Sequence, residues 1–164
     1  MERRERVEGS VPTRIGQAVM LLHGGDREEA RNRFGELWAE IAECGEPLHR
    51  CTLAHYMADT QDDPGDELAW DLRALTAAEG PSSTARTSPP SPELRAFYPS
   101  LHLNLAADYL KLHRPDTARL HLSLAREAAH ALGDDGDAAP GREDAYGDGV
   151  RAAIRRLERR LLEE

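Results

Sequence analysis

Aromatic residues are scarce in this chain, at 5% of its 164 residues. Lysine is scarcer still: Lys111 is the sole one among 21 basic residues, a bias characteristic of GC-rich genomes. Cysteine occurs only at Cys44 and Cys51. No apolar run approaches the roughly 20 residues that a membrane-spanning helix needs. Clusters of Val, Ile, Thr and Tyr, the mark of strands, are also missing. Each shortage excludes something. The two cysteines do not match a zinc-site spacing, so reduced, buried thiols are expected of them. The opening MERRERVEGS carries charge and no apolar segment, unlike a secretory leader, and a cytoplasmic protein is expected. The net charge of −9 is opposite to the basic face of a nucleic-acid binder. The arginines near Met1 and in the last helix, Arg151, Arg155, Arg156, Arg159 and Arg160, are interspersed with glutamates and read as mixed-charge surface.

What is present favours helices. Ala, Leu, Arg and Glu dominate, with 40% hydrophobic and 31% charged residues, a globular composition. Residues 1–11 read as a flexible arm, and 12–164 as a single domain of about seven helices. Pro12 can open the first, with Ile15, Ala18, Val19 and Leu22 at helical spacing, and His23-Gly24-Gly25 ends it. Asp26 and Glu29 form a capping-box-like pair for the second, whose apolar face is Ala30, Phe34, Leu37, Trp38 and Ile41. Pro47 opens the third, with Leu48, Cys51, Leu53, Ala54 and Met57 on its apolar side. After a turn over 61–66, with Asp66 expected as N-cap, the fourth carries Leu68, Ala69, Leu72 and Leu75. The Pro- and Ser-rich 81–92 and the acidic, Gly-rich 133–149 are expected to be linkers. A fifth helix starts near Glu93, with a bend expected at Pro99. The sixth spans 115–132. A seventh, 150–162, has Val150, Ala153, Ile154, Leu157 and Leu161 on one side and needs something to pack on. The helices pair as antiparallel hairpins over 12–45, 46–80 and 93–132.

The third hairpin has the clearest pattern: His102-x2-Leu105-Ala106-x2-Tyr109, then Ala118-x3-Leu122-x2-Ala125. Small residues stand where two helices would cross closely, with larger ones beside them. The first hairpin repeats it in outline as Gln17-Ala18-x2-Leu21, then Ala30-x3-Phe34-x2-Leu37, and Leu21 to Ala30 is the same gap as Tyr109 to Ala118. The middle one reads Leu53-Ala54-x2-Met57, then Leu68-x3-Leu72-x2-Leu75, with a turn two residues longer. The pattern resembles the tetratricopeptide repeat (TPR), and Gly25 stands where that family's turn favours glycine. The family's initial tryptophan is replaced by Arg14, Arg50 and His102. The resemblance covers about residues 12–132. It implies an all-α fold of antiparallel hairpins stacked as a short right-handed TPR-like solenoid, with the last helix capping its exposed end.

The resemblance further implies a concave face lined by the first helix of each pair: Ile15, Val19 and His23; Cys51, His55 and Asp59; Leu103, Ala107 and Lys111. Such faces hold peptides or helices of partner proteins. The lysine/asparagine clamp some members use for a terminal carboxylate is not supported by Lys111 and Asn104 alone. No phosphate-cradling loop or nucleophile pattern is present. The expected function is therefore a non-enzymatic interaction module without a cofactor, binding a protein or peptide partner and neither nucleic acid nor membrane. Its expected partner-binding residues are His23, His55, Tyr56, Asp59, Trp70, Asn104, Ala107 and Lys111. Two alternatives stand beside it. One is a divalent-metal-dependent hydrolase at 55–71, with His55 and Asp59 one helical turn apart and an aspartate among Asp62, Asp63 and Asp66 as a further ligand. The other is self-assembly, with the last helix docking on a second copy as a homodimer.

Overall fold

Proline in the first turn opens five of the helices, where its missing N–H goes unneeded and its fixed φ suits the helix. In the computed structural model, which describes residues 9–43, 45–79, 91–134 and 145–163, the elements are α1 (Val11–His23), α2 (Arg27–Ile41), α3 (Pro47–Asp59), α4 (Pro64–Glu79), α5 (Pro92–Lys111), α6 (Pro115–Asp134) and α7 (Ala145–Leu162). All elements among the described residues are helices, so the chain is all-α. Side-chain caps set several of the starts. Ser10 accepts from the Thr13 amide, Asp26 from the Glu29 amide and Ser91 from the Leu94 amide. Before α4 the cap is Asp63, whose Oδ2 takes the Asp66 amide at 3.1 Å. Asp66 is therefore inside the helix, not its cap, because Pro64 starts the helix earlier than the run of aspartates suggests. The expected linkers fall largely outside the described residues. Helix α7, however, begins at Ala145, a turn ahead of the expected Val150, and α5 runs unbroken across Pro99.

The chain divides into two compact units, Met1–Pro81 and Ser82–Glu164. In the first, α1, α2 and α3 share one core: Ile15 and Ala18, then Ala30, Phe34, Leu37 and Ile41, then Leu53 and Met57. Phe34 is fully buried and stacks on Tyr56, with ring centroids 6.0 Å apart. Helices α3 and α4 pack against each other, and both bury small side chains: Cys51, Ala54 and Ala58 on α3, and Ala74, Ala77 and Ala78 on α4. This corrects the face expected for α4. Leu68 and Leu75 are only half-buried and Leu72 is 38% exposed, while Asp71 is buried with the alanines. Alanine permits a close helix approach that leucine obstructs, so the helix turns its smallest residues inward.

In the second unit, Ala106 and Leu110 of α5, Ala118, Leu122, Ala125 and Ala129 of α6, and Val150, Ile154, Leu157 and Leu161 of α7 form one core. The apolar stripe of α7 thus completes the α5–α6 hairpin, and Arg126 of α6 pairs with Glu158 of α7 at its edge.

Two of the turns are built alike. After α1, the amides of Gly24, Gly25 and Asp26 bond to the carbonyls of Met20, Leu22 and Leu21. After α5, those of Leu112, His113 and Arg114 bond to Asp108, Leu110 and Tyr109, position for position. Gly25 and His113 hold the left-handed place, with φ of 95° and 62°. The α3–α4 turn differs: the amides of Thr60 and Gln61 bond to Met57 and Ala58, and no comparable left-handed residue follows among the described residues.

Candidate functional site

The expected site residues are distributed over both units. His23 ends α1 and is exposed. On α3, His55 and Tyr56 are half-buried with rings 5.4 Å apart, and Asp59, one turn on, is exposed. Burial pushes the His55 imidazole below its ordinary value, against the pull of Asp59. Trp70 on α4 is half-buried against the first core. In the second unit, Asn104 and Ala107 are half-buried and Lys111 is exposed, all three on α5. Of the groove residues expected beside them, Ile15 and Cys51 are buried core, which removes both from any binding face. Ile15 lies inward because α1, α2 and α3 close on one another there, and Cys51 is among the small side chains that α3 buries.

Asp62 and Asp63 have structural roles. Arg27 reaches from the start of α2 to Asp62, to the Gln61 carbonyl at 2.7 Å and to the Asp59 carbonyl at 3.4 Å. Its guanidinium holds the Asp62 carboxyl below the usual range. Asp63 is engaged as the α4 cap.

A more developed site lies where α2, α3 and α4 meet. Trp38 near the end of α2, Arg50 in the first turn of α3, and Leu72, Arg73, Thr76 and Ala77 along α4 line a groove of about 620 Å³, with Ala42 at its edge. That volume is in the range of ligand-binding clefts. Trp38 meets Trp70 edge to face, with centroids 5.2 Å apart at 83°. The Arg73 guanidinium lies over the Trp70 ring, 4.3 Å from its centroid, a cation–π contact that orients it. Arg50 Nε is buried and has no hydrogen-bond partner. Thr76 turns its hydroxyl to the Leu72 carbonyl at 2.9 Å.

No family model, no characterised protein and no solved structure matches this chain. Its functional reading therefore rests on its own geometry.

Sequence reasoning missed this groove. It is assembled from three helices, and Arg50 and Arg73 are close in no linear pattern. It also missed a pair in the second unit. His102 and His121 bring their Nδ1 atoms within 3.1 Å, with rings stacked at 5.4 Å, and Tyr109 stacks on His121 at the same separation. A signal for this pair did exist. Ala106 and Ala118 face each other in an antiparallel hairpin, so four residues back along α5 lies opposite about three residues on along α6. Burial lowers both imidazoles, and for His102 the neighbouring ring lowers it further.

Proposed function

We propose that this chain is a non-enzymatic interaction module of the cytoplasm. In this reading its hairpins are TPR-like, stacked as a short right-handed solenoid, and hold a protein or peptide partner. The observation that supports it is the recurrence of one hairpin design. Helices α1–α2 and α5–α6 close through the same three turn hydrogen bonds and bury alanines at matching places, Ala18 with Ala30 and Ala106 with Ala118. Repeated hairpins bury one side against neighbours and leave other faces for recognition. His23, Asp59 and Lys111 supply exposed polar groups, while His55, Tyr56, Trp70, Asn104 and Ala107 supply half-buried surface. Among the described residues no helix is long and apolar enough to cross a membrane.

The test is affinity capture from the native lysate with the wild-type chain and with His55→Ala/Lys111→Ala. A partner retained by the first and lost by the second, with helical content unchanged, is the expected result. Identical capture by both proteins, at every wash stringency, counts against these residues as the binding face.

A further inference from the structure

We infer that the α2–α3–α4 groove of the first unit is a docking site for an acidic segment of a partner protein, its carboxylates received by Arg50 and Arg73 and its flanking apolar side chains by Trp38 and Leu72. This deepens the interaction-module reading and rests on it.

The argument begins with charge. The chain carries a net charge of −9, and in this unit Arg14, Arg27 and Arg33 are each bound to a carboxylate of the chain itself. Arg31 has no such partner among the described residues but stands outside the groove, whereas Arg50 and Arg73 are set into it. Among the described residues neither side chain has an ion pair, and both line the same groove. A cationic cleft on an acidic protein repels the basic partners that the rest of the surface attracts, and selects an anionic one.

Burial then makes the demand specific. The Nε of Arg50 is buried and out of a ligand's reach, so a carboxylate in the groove would be received by the terminal amino groups of its guanidinium. Guanidinium groups match carboxylates with two parallel N–H···O bonds. Arg73 is already laid on Trp70, so its fork is partly ordered before a ligand arrives and less conformational freedom is lost on binding.

The remaining lining decides the body of the ligand. Leu72 is a leucine at 38% exposure, and with the half-buried Trp38 and the buried Ala77 it gives an apolar strip beside the guanidinium groups. Acidic residues flanked by aliphatic or aromatic ones satisfy both halves. The groove is also separate from the face that carries His55. His55 lies five positions beyond Arg50 on α3, which turns them about 140° apart around the helix at its 3.6-residue period.

The experiment selects a displayed library of random dodecapeptides on the purified full-length protein and measures the winners by fluorescence anisotropy. Expected are sequences enriched in Asp or Glu beside Leu or Phe, with affinity falling as salt is raised. Binding should weaken at least about tenfold in Arg50→Gln/Arg73→Gln, as for anchor residues of interfaces, and remain unchanged in Arg33→Gln. Circular dichroism of each variant checks that it is folded, and Arg73→Lys, which keeps the charge without the fork, gives an intermediate loss. Winners without acidic enrichment, or equal binding to the double variant, overturn the inference. If those winners are instead lost in His55→Ala/Lys111→Ala, the interaction-module reading survives and only the groove assignment fails. A library from which nothing is enriched overturns both.

Discussion

Gly25 and His113 occupy the same left-handed position in two turns with identical hydrogen bonding, one with no side chain and the other with an imidazole. A β-carbon added at Gly25 would meet open space, so the only penalty there is torsional. His113 bears that penalty in the native chain. His113→Gly is expected to stabilise the second unit by on the order of 1 kcal/mol, and Gly25→Ala to destabilise the first by a similar amount. Urea unfolding of the two variants measures both signs. A neutral His113→Gly would show that the imidazole makes compensating contacts.

Phe34 joins three helices of the first unit at zero exposure. Phe34→Ala should cost about 3–5 kcal/mol, the range for large aromatic side chains deleted from packed cores. Thermal unfolding followed by circular dichroism reads this. A loss well under that range would mean that α1 and α3 collapse into the space.

Stability should fall on mild acidification. His55, His102 and His121 all have folded-state pKa values lowered by burial from an ordinary 6.5. The unfolded chain therefore binds protons first as pH drops. The contribution is complete above the ordinary value and is lost as pH falls through it toward the folded values. Within the His102–His121 pair the cause is concrete: a neutral Nδ1 must accept from the other ring's N–H, and two protonated rings lose the acceptor and repel. Urea midpoints at about pH 7.5 and about pH 5 should differ, and His102→Asn/His121→Asn should narrow the gap. An undiminished gap in that variant would assign the effect to other groups.

The Cys51 thiol, buried between helices, is pushed up to about 12. It holds almost no thiolate at neutral pH, and the thiolate is the reactive form. Iodoacetamide should label Cys51 only after unfolding, as peptide mapping by mass spectrometry will show. Labelling at the native rate of a free thiol would place Cys51 at the surface.

Much of the fold was legible because helix starts and crossings are local. Pro12, Pro47 and Pro115 mark their helices directly, and the Ala106–Ala118–Leu122–Ala125 spacing matches the observed core. Helix α4 is not legible in this way, because leucine dominates any apolar count. Its buried residues, Asp71, Ala74, Ala77 and Ala78, are chosen by the packing of neighbouring helices, which no single helix encodes. The same limit hid the binding features. Arg50 and Arg73 meet in one groove, and His102 meets His121, only through the packing of separate helices. His23, Asp59 and Lys111, which the resemblance assigns to a concave face, are exposed.

Arg27 has one more consequence. Its single guanidinium, rooted at the start of α2, grips the carbonyls of Asp59 and Gln61 and the carboxylate of Asp62 at the far end of α3. The peptide connecting α2 to α3 is thus not what holds these helices together: the shared core does so from within and this side chain from outside. A protease nick between Ala42 and Glu46 should leave two fragments that co-elute as one folded body, and Arg27→Ala should let them part at a lower urea concentration. That outcome would make the first unit a splittable scaffold, with its seam ahead of α3.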